Sequence, residues 1–146
     1  MTQKEHIRKA TEKDFPVVYE FVKALWTYNT YEEATVRQVY QKVLDDENSF
    51  AWLYEENGVC RGFCHGDYFQ TFWMSGLTCY VSSLITREED RGKGYGKKLL
   101  DFVSKEARER GCKAITLDSG LPRTAAHGFY EHYGFEKSCY GFEMRL

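Results

Sequence analysis

The stretch Glu89-Asp-Arg-Gly-Lys-Gly-Tyr-Gly-Lys-Lys-Leu-Leu100 restricts this chain more than any other. A β-branched, hydroxyl-rich run, Val81 to Thr86, precedes it, and an amphipathic pattern follows it at once. Gly92, Gly94 and Gly96 remove Cβ at alternate positions, so backbone N–H groups can come close to a bound anion. The helix that follows adds its N-terminal dipole and its unused donors. Arg91, Lys93, Lys97 and Lys98 supply positive charge. Strand, amide-lined turn and helix N-terminus, in that order, make a cradle suited to a pyrophosphate.

The spacing excludes other glycine-loop chemistries. It is Gly-x-Gly-x-Gly, not the Gly-x-Gly-x-x-Gly of a dinucleotide fold, and no Gly-x-x-x-x-Gly-Lys-Ser/Thr is present. No Gly-x-Ser-x-Gly elbow occurs either, so Ser119 reads as a strand end and not as a nucleophile. Arg91-Gly-Lys-Gly94-Tyr-Gly96 resembles the Arg/Gln-x-x-Gly-x-Gly/Ala signature of the GCN5-related N-acetyltransferase (GNAT) superfamily. Phe129-Tyr130-Glu-His-Tyr-Gly134-Phe135 resembles that family's second signature.

The resemblance implies an α+β fold, the GNAT acyl-CoA N-acyltransferase fold, with a mixed, mostly antiparallel sheet flanked by about four helices. It implies acetyl-CoA as co-substrate, held by Arg91, Gly92, Lys93, Gly94, Tyr95, Gly96 and Lys97. Backbone N–H groups of Leu84, Ile85 and Thr86 would polarise the thioester, in the manner of an oxyanion hole. Tyr130 matches the tyrosine that protonates the departing thiolate, with packing on its helix as the structural alternative. Arg123 stands where many members carry an Asn, so CoA contact, a hydrogen bond at the helix start and recognition of a substrate carboxylate are all open to it.

The implied reaction is direct transfer of an acetyl group to a primary amine of a small molecule or peptide. An alkylamine of pKa about 10.4 is almost wholly protonated at neutral pH, so a base, a water relay or a desolvating site must take its proton. Many members place Glu or Asp on the fourth strand for this; here Ser82 and Ser83 occupy it. Asp118, His65 and His127 are the candidates that remain. The missing carboxylate also keeps two alternatives standing: a transferase using another acyl-CoA, and a catalytically weak CoA-binding domain.

The chain's 146 residues suit one domain, 1–146, with a single core. No apolar run is long enough for a membrane span, and the first residues lack a signal peptide's apolar core, so no membrane partner and a cytoplasmic protein are expected. Five cysteines without Cys-x-x-Cys read as packed free thiols, and no metal is expected. The net charge of −2 hides an asymmetry: residues 1–73 are acidic and residues 74–146 basic. Glu32 and Glu33 either attract a cationic acceptor or form a solvated helix face. Basic residues interleaved with Glu88, Glu89, Asp90 and Asp101 give no patch for nucleic acid.

Along the chain, Glu5 to Ala10 reads as a strand ended by a Thr11–Asp14 capping box. Phe15, Val18, Val22, Leu25 and Trp26 then mark one helix face. A second helix is predicted from a capping box at Thr30–Glu33, with Val36, Val39, Tyr40, Val43 and Leu44 as its apolar stripe. Asn57-Gly58 predicts a type I′ hairpin between strands 49–54 and 59–69. Tyr68, Phe69, Phe72 and Trp73 cluster at its end, where a substrate-pocket wall, sheet packing and a homodimer contact are open readings. In the fourth strand the apolar parity slips between Val81 and Leu84, which suggests a β-bulge near Ser82-Ser83, with two solvent-facing serines as the alternative. Residues 113–118 predict a strand parallel to it, Thr124 to Gly134 a short helix, and Tyr140, Phe142, Met144 and Leu146 a final strand.

Overall fold

The computed structural model describes residues 5–146. They form two compact units, divided between Thr116 and Leu117. The elements are β1 (Glu5–Lys9), α1 (Phe15–Leu25), α2 (Glu33–Asp45), β2 (Ser49–Glu56), β3 (Val59–Thr71), β4 (Gly76–Thr86), α3 (Tyr95–Glu109), β5 (Ala114–Leu117) and α4 (Thr124–Tyr133). The sheet order is β1-β2-β3-β4-β5, antiparallel from β1 through β4. β5 joins after the α3 crossover, with the Lys113 N–H donating to Leu77 O at 2.8 Å. Among the described residues no helix is long and apolar enough to cross a membrane.

Local chemistry sets the turns. At the end of β1 the Thr11 N–H donates to Asp14 Oδ2 at 2.8 Å and the Asp14 N–H to Thr11 O at 3.0 Å, closing the predicted capping box. Asn57 and Gly58 both take positive φ, 52° and 79°, as a type I′ turn requires. That turn fixes the β2–β3 register, in which Glu56 faces Val59 and Leu53 faces Phe63.

One face of the sheet is covered by α1 and α2. Phe15, Val18 and Phe21 from α1 and Tyr40 from α2 pack with Ala51, Leu53, Phe63 and Ile85. Phe21, absent from the predicted stripe, is only 4 % exposed and stacks on Phe63, centroids 6.2 Å apart. Val39, placed on the predicted stripe of α2, is exposed. The opposite face receives α3, whose Leu99, Leu100 and Val103 are wholly buried. Trp52 packs edge-on against Phe102, and Tyr54 packs at a tilt against Tyr95.

Two element predictions are corrected. Helix α2 begins at Glu33, without a side-chain cap, and not at Thr30. The Tyr31 hydroxyl donates to Trp26 O at 2.8 Å and its ring packs edge-on to Tyr19, which ties the chain before Glu33 into the preceding loop. Residues 135–146 contain no strand: Tyr140, Phe142, Met144 and Leu146 keep their alternation but are 79–112 % exposed. Alternation selects a face; a strand also needs ladder partners for its backbone.

Candidate active site: the β4 bulge and the glycine loop

The bulge in β4 is explicit in its register with β3. His65 lies opposite Ser83 while Gly66 lies opposite Val81, so Ser82 is the extra residue. Its effect is to hold one face through a change of parity. Cys79 and Val81 face Tyr68 and Gly66 before the bulge; Leu84 and Thr86 face Cys64 and Gly62 after it. Both sets therefore share the α3 side, where a Cβ on Gly62 would touch Leu99 Cδ1 and Thr86 Cγ2. Ser83 and Ile85 turn to the α1/α2 side. Beginning beside Leu77, the four residues of β5 give out before the Leu84–Thr86 stretch of β4.

After Thr86 a single 3-10 turn, Glu88–Asp90, leads into the glycine loop. Asp90 is the clamp. It is 2 % exposed, 3.4 Å from Arg61 Nη1 on β3 and 3.3 Å from Lys93 Nζ. Its N–H donates to Arg87 O, and the Lys93 N–H donates to Asp90 O, so both ends of the turn are tied. Gly92 and Gly94 stand at φ 82° and 87°, a conformation costly for a residue with Cβ. A Cβ at either would find no atom within 4 Å, so open space lies above both.

Helix α3 starts directly from Gly94. An intrahelical bond runs from the Lys98 N–H to Gly94 O, 3.0 Å, which leaves the N–H groups of Tyr95 and Gly96 without helical acceptors. Tyr95 is anchored beneath, its hydroxyl donating to Glu56 Oε2 at 3.1 Å. The loop's cations divide. Lys97 reaches Asp101 at 3.0 Å, and Lys98 reaches Tyr54 Oη at 3.2 Å and Glu5 at 3.5 Å. Lys98 is held by that cluster, with its ammonium favoured by Tyr54 and Glu5. Arg91, exposed and with no ion pair among the described residues, is the loop cation left to meet an anion.

The unit 117–146 carries the other predicted residues. Arg123 is the residue before α4 and is exposed; its carbonyl accepts the His127 N–H at 3.1 Å. Tyr130 packs edge-on against Phe129 and Phe135, with centroids 5.4 and 5.7 Å apart. Of the three candidate bases, Asp118 is exposed and the His127 ring is taken up by Gly120 O, 2.9 Å from Nε2. His65, in the unit that ends at Thr116, differs: its Nε2 is buried without a hydrogen-bond partner among the described residues. Elsewhere, Glu32 and Glu33 are exposed at the start of α2, and Glu33 lies 3.8 Å from Arg37. The aromatic cluster splits, with Tyr68 buried while Phe69, Phe72 and Trp73 are exposed. Cys64 and Cys79 are buried free thiols, and burial pushes both up, Cys79 to about 12.

With this geometry in place, the comparisons decide the family. The profile described as "Acetyltransferase (GNAT) family" matches residues 8–135. The chain belongs to the GNAT acetyltransferases. It is 32 % identical over 139 residues to an uncharacterized N-acetyltransferase, YhdJ, of Bacillus subtilis, covering 94 % of this chain and 96 % of that one. A predicted acetyltransferase from Clostridium acetobutylicum, solved with acetyl-CoA, superposes with a TM-score of 0.81 at 22 % identity, over 97 % of this chain and 96 % of its own. The aminoglycoside N-acetyltransferase AAC(6')-Iy, solved in complex with CoA, gives 0.86 at 16 % identity, over 97 % and 94 %. At such identities these structures establish the acetyltransferase's fold.

Sequence reasoning missed Asp90, Arg61 and Glu56 as parts of the loop's support. Asp90 sits in an acidic run, Glu88-Glu89-Asp90, and no periodicity distinguishes the buried carboxylate from its two exposed neighbours.

Proposed function

We propose that this GNAT enzyme transfers the acetyl group of acetyl-CoA directly to a primary amine of a small molecule or peptide. The observation that carries the reading is the pairing of open space over Gly92 and Gly94 with Arg91, without an ion pair among the described residues, and the N–H groups of Tyr95 and Gly96 at the helix start. Those donors suit the pyrophosphate of CoA, with Lys93 and Lys97 adding charge. Leu84, Ile85 and Thr86 supply backbone groups toward the thioester, supported by the bulge that precedes them. Tyr130 is the general acid for the thiolate, on the strength of the family signature, and Arg123, which departs from that signature, is assigned as a second contact for CoA on its position before α4. When bound, acetyl-CoA supplies the activated acyl carbon. The whole, 1–146, acts as one catalytic domain in the cytoplasm. The amine is supported by the aminoglycoside acetyltransferase among the structural relatives, one of whose structures holds a bisubstrate analogue.

The test is Gly94→Val. The new side chain enters the open space and must also adopt φ near 87°. Calorimetry should show CoA affinity reduced at least tenfold while the melt stays cooperative. Equal affinity in a folded variant removes the loop from the cofactor site.

A further inference from the structure

The turn between β3 and β4 gathers exposed apolar side chains. Thr71 lies opposite Gly76, so residues 72–75 close the hairpin. Phe72 is 102 % exposed, Trp73 66 %, Phe69 40 % and Met74 37 %. Exposed apolar residues scattered singly are ordinary, but these follow one another on a single projection and make a patch. Charge is missing there too. No charged residue stands between Asp67 and Arg87, in a chain whose charged share is 29 %. Burial explains the strand positions of that run, such as Thr78, Cys79 and Val81. It does not explain the tip, where the exposed polar residues are Gln70 and Ser75.

The tip is held firmly from behind. The Ser75 N–H donates to Phe72 O at 3.0 Å, with Ser75 at φ 57°. The Thr71 and Thr78 hydroxyls, both buried, bond at 2.8 Å, and the Thr71 hydroxyl also donates to Gly76 O at 3.4 Å. Lys113 Cγ would lie 3.1 Å from a Cβ on Gly76, so its alkyl stem runs along the base of the turn. A backbone fixed in this way presents its aromatic side chains with little left to order on association.

We infer that the 69–74 tip is a contact surface for a second copy of this chain, with Phe72 and Trp73 of each protomer packing on the tip of the other about a two-fold axis. The composition is that of an interface centre, where charged residues are depleted and aromatic residues and Met enriched. Area selects the occupant. With aromatic side chains offering about 150–250 Å² each, the exposed parts of the four residues amount to roughly 500 Å². Two copies tip to tip bury about 1,000 Å² in total, which reaches the lower limit of a specific interface. A two-fold contact sets the same patch on both sides, and a patch without charge meets its copy with no like charges opposed. An interface of this size makes a reversible dimer with a dissociation constant in the micromolar range. The glycine loop stays free, because tip and loop lie at opposite ends of β4, a strand about 30 Å long.

The experiment follows the mass of the full chain by analytical ultracentrifugation from low to high micromolar protein. Wild type should pass from one chain to two. The double variant Phe72→Asp, Trp73→Asp should weaken that association about a hundredfold, since two aromatic anchors give way to charges that face each other. Both positions are exposed, so the variant should keep the wild-type melt, and its CoA affinity by calorimetry should be unchanged. Val39→Asp, at an exposed apolar position on α2, should dimerise as wild type does. Wild type that remains a single chain throughout overturns the inference, including the case in which it binds neutral phospholipid vesicles instead. A tip variant that associates as tightly as wild type overturns it too, as does an equal loss of association in Val39→Asp. None of these outcomes bears on acetyl transfer, which rests on the loop.

Discussion

Asp14 shows how one carboxylate ties the edge of this sheet to its first helix. Arg8 of β1 grips it with both terminal nitrogens, at 2.8 and 2.9 Å, while Arg8 Nε holds Glu55 of β2 at 2.9 Å. The fork and the Thr11 N–H hold the Asp14 carboxyl down at about 2, against an ordinary 3.8. Between those values the unfolded chain binds more protons than the native one. The stabilisation is therefore complete above about pH 4 and is lost as the pH falls toward 2. It amounts to about 2 kcal/mol, since the side chain is mostly shielded from solvent. Asp14→Asn should lower stability by about that amount at pH 7 and flatten the dependence between pH 4 and 2, measured by urea titrations at each pH. A variant whose acid limb matches wild type would show that the fork contributes nothing to folding.

At the scale of elements, the β3–β4 hairpin depends on one close approach. A Cβ on Gly66 would overlap the Tyr80 carbonyl oxygen and come within 2.5 Å of Phe50 Cζ. Neither a backbone oxygen in a ladder nor a ring packed on Tyr68 gives way cheaply. Gly66→Ala should cost about 3 kcal/mol and, by shifting the strand beside the bulge, lower activity further than the lost stability explains. The outcome to check is the denaturation midpoint alongside kcat/KM; a cost under about 0.5 kcal/mol would mean the hairpin absorbs a methyl group. The bulge itself was legible, because Val81 and Leu84 cannot share a face without an extra residue between them. So were the glycine loop and the Asn57-Gly58 turn, where backbone geometry restricts residue type. What escaped was tertiary. The start of α2 is decided by a Tyr31 hydroxyl reaching Trp26, and Asp90 becomes a clamp only because β3 brings Arg61 to it. The 135–146 segment has a strand's alternation without a ladder partner. His65 stood out as one of three candidates, and its enclosed nitrogen separates it from His127 only in three dimensions.

Across the whole molecule, burial is unevenly shared between the two helices that carry the family signatures. In α3, Tyr95, Leu99, Leu100, Val103, Ser104 and Ala107 are buried; in α4, no residue is. A helix of ten residues has little stability of its own in water and depends on packing. The free energy of opening should therefore differ sharply between them. Native-state hydrogen exchange tests this directly. Amides in the middle of α3 should exchange only with global unfolding, and their exchange should slow or quicken in step with the urea-derived stability. Those of α4 should exchange through local opening, at rates at least a hundredfold faster and nearly insensitive to low urea, because a local opening exposes little new surface. If α4 instead matches α3 in both rate and urea dependence, it unfolds only with the rest of the chain. The burial contrast between the two helices would then be no guide to their dynamics.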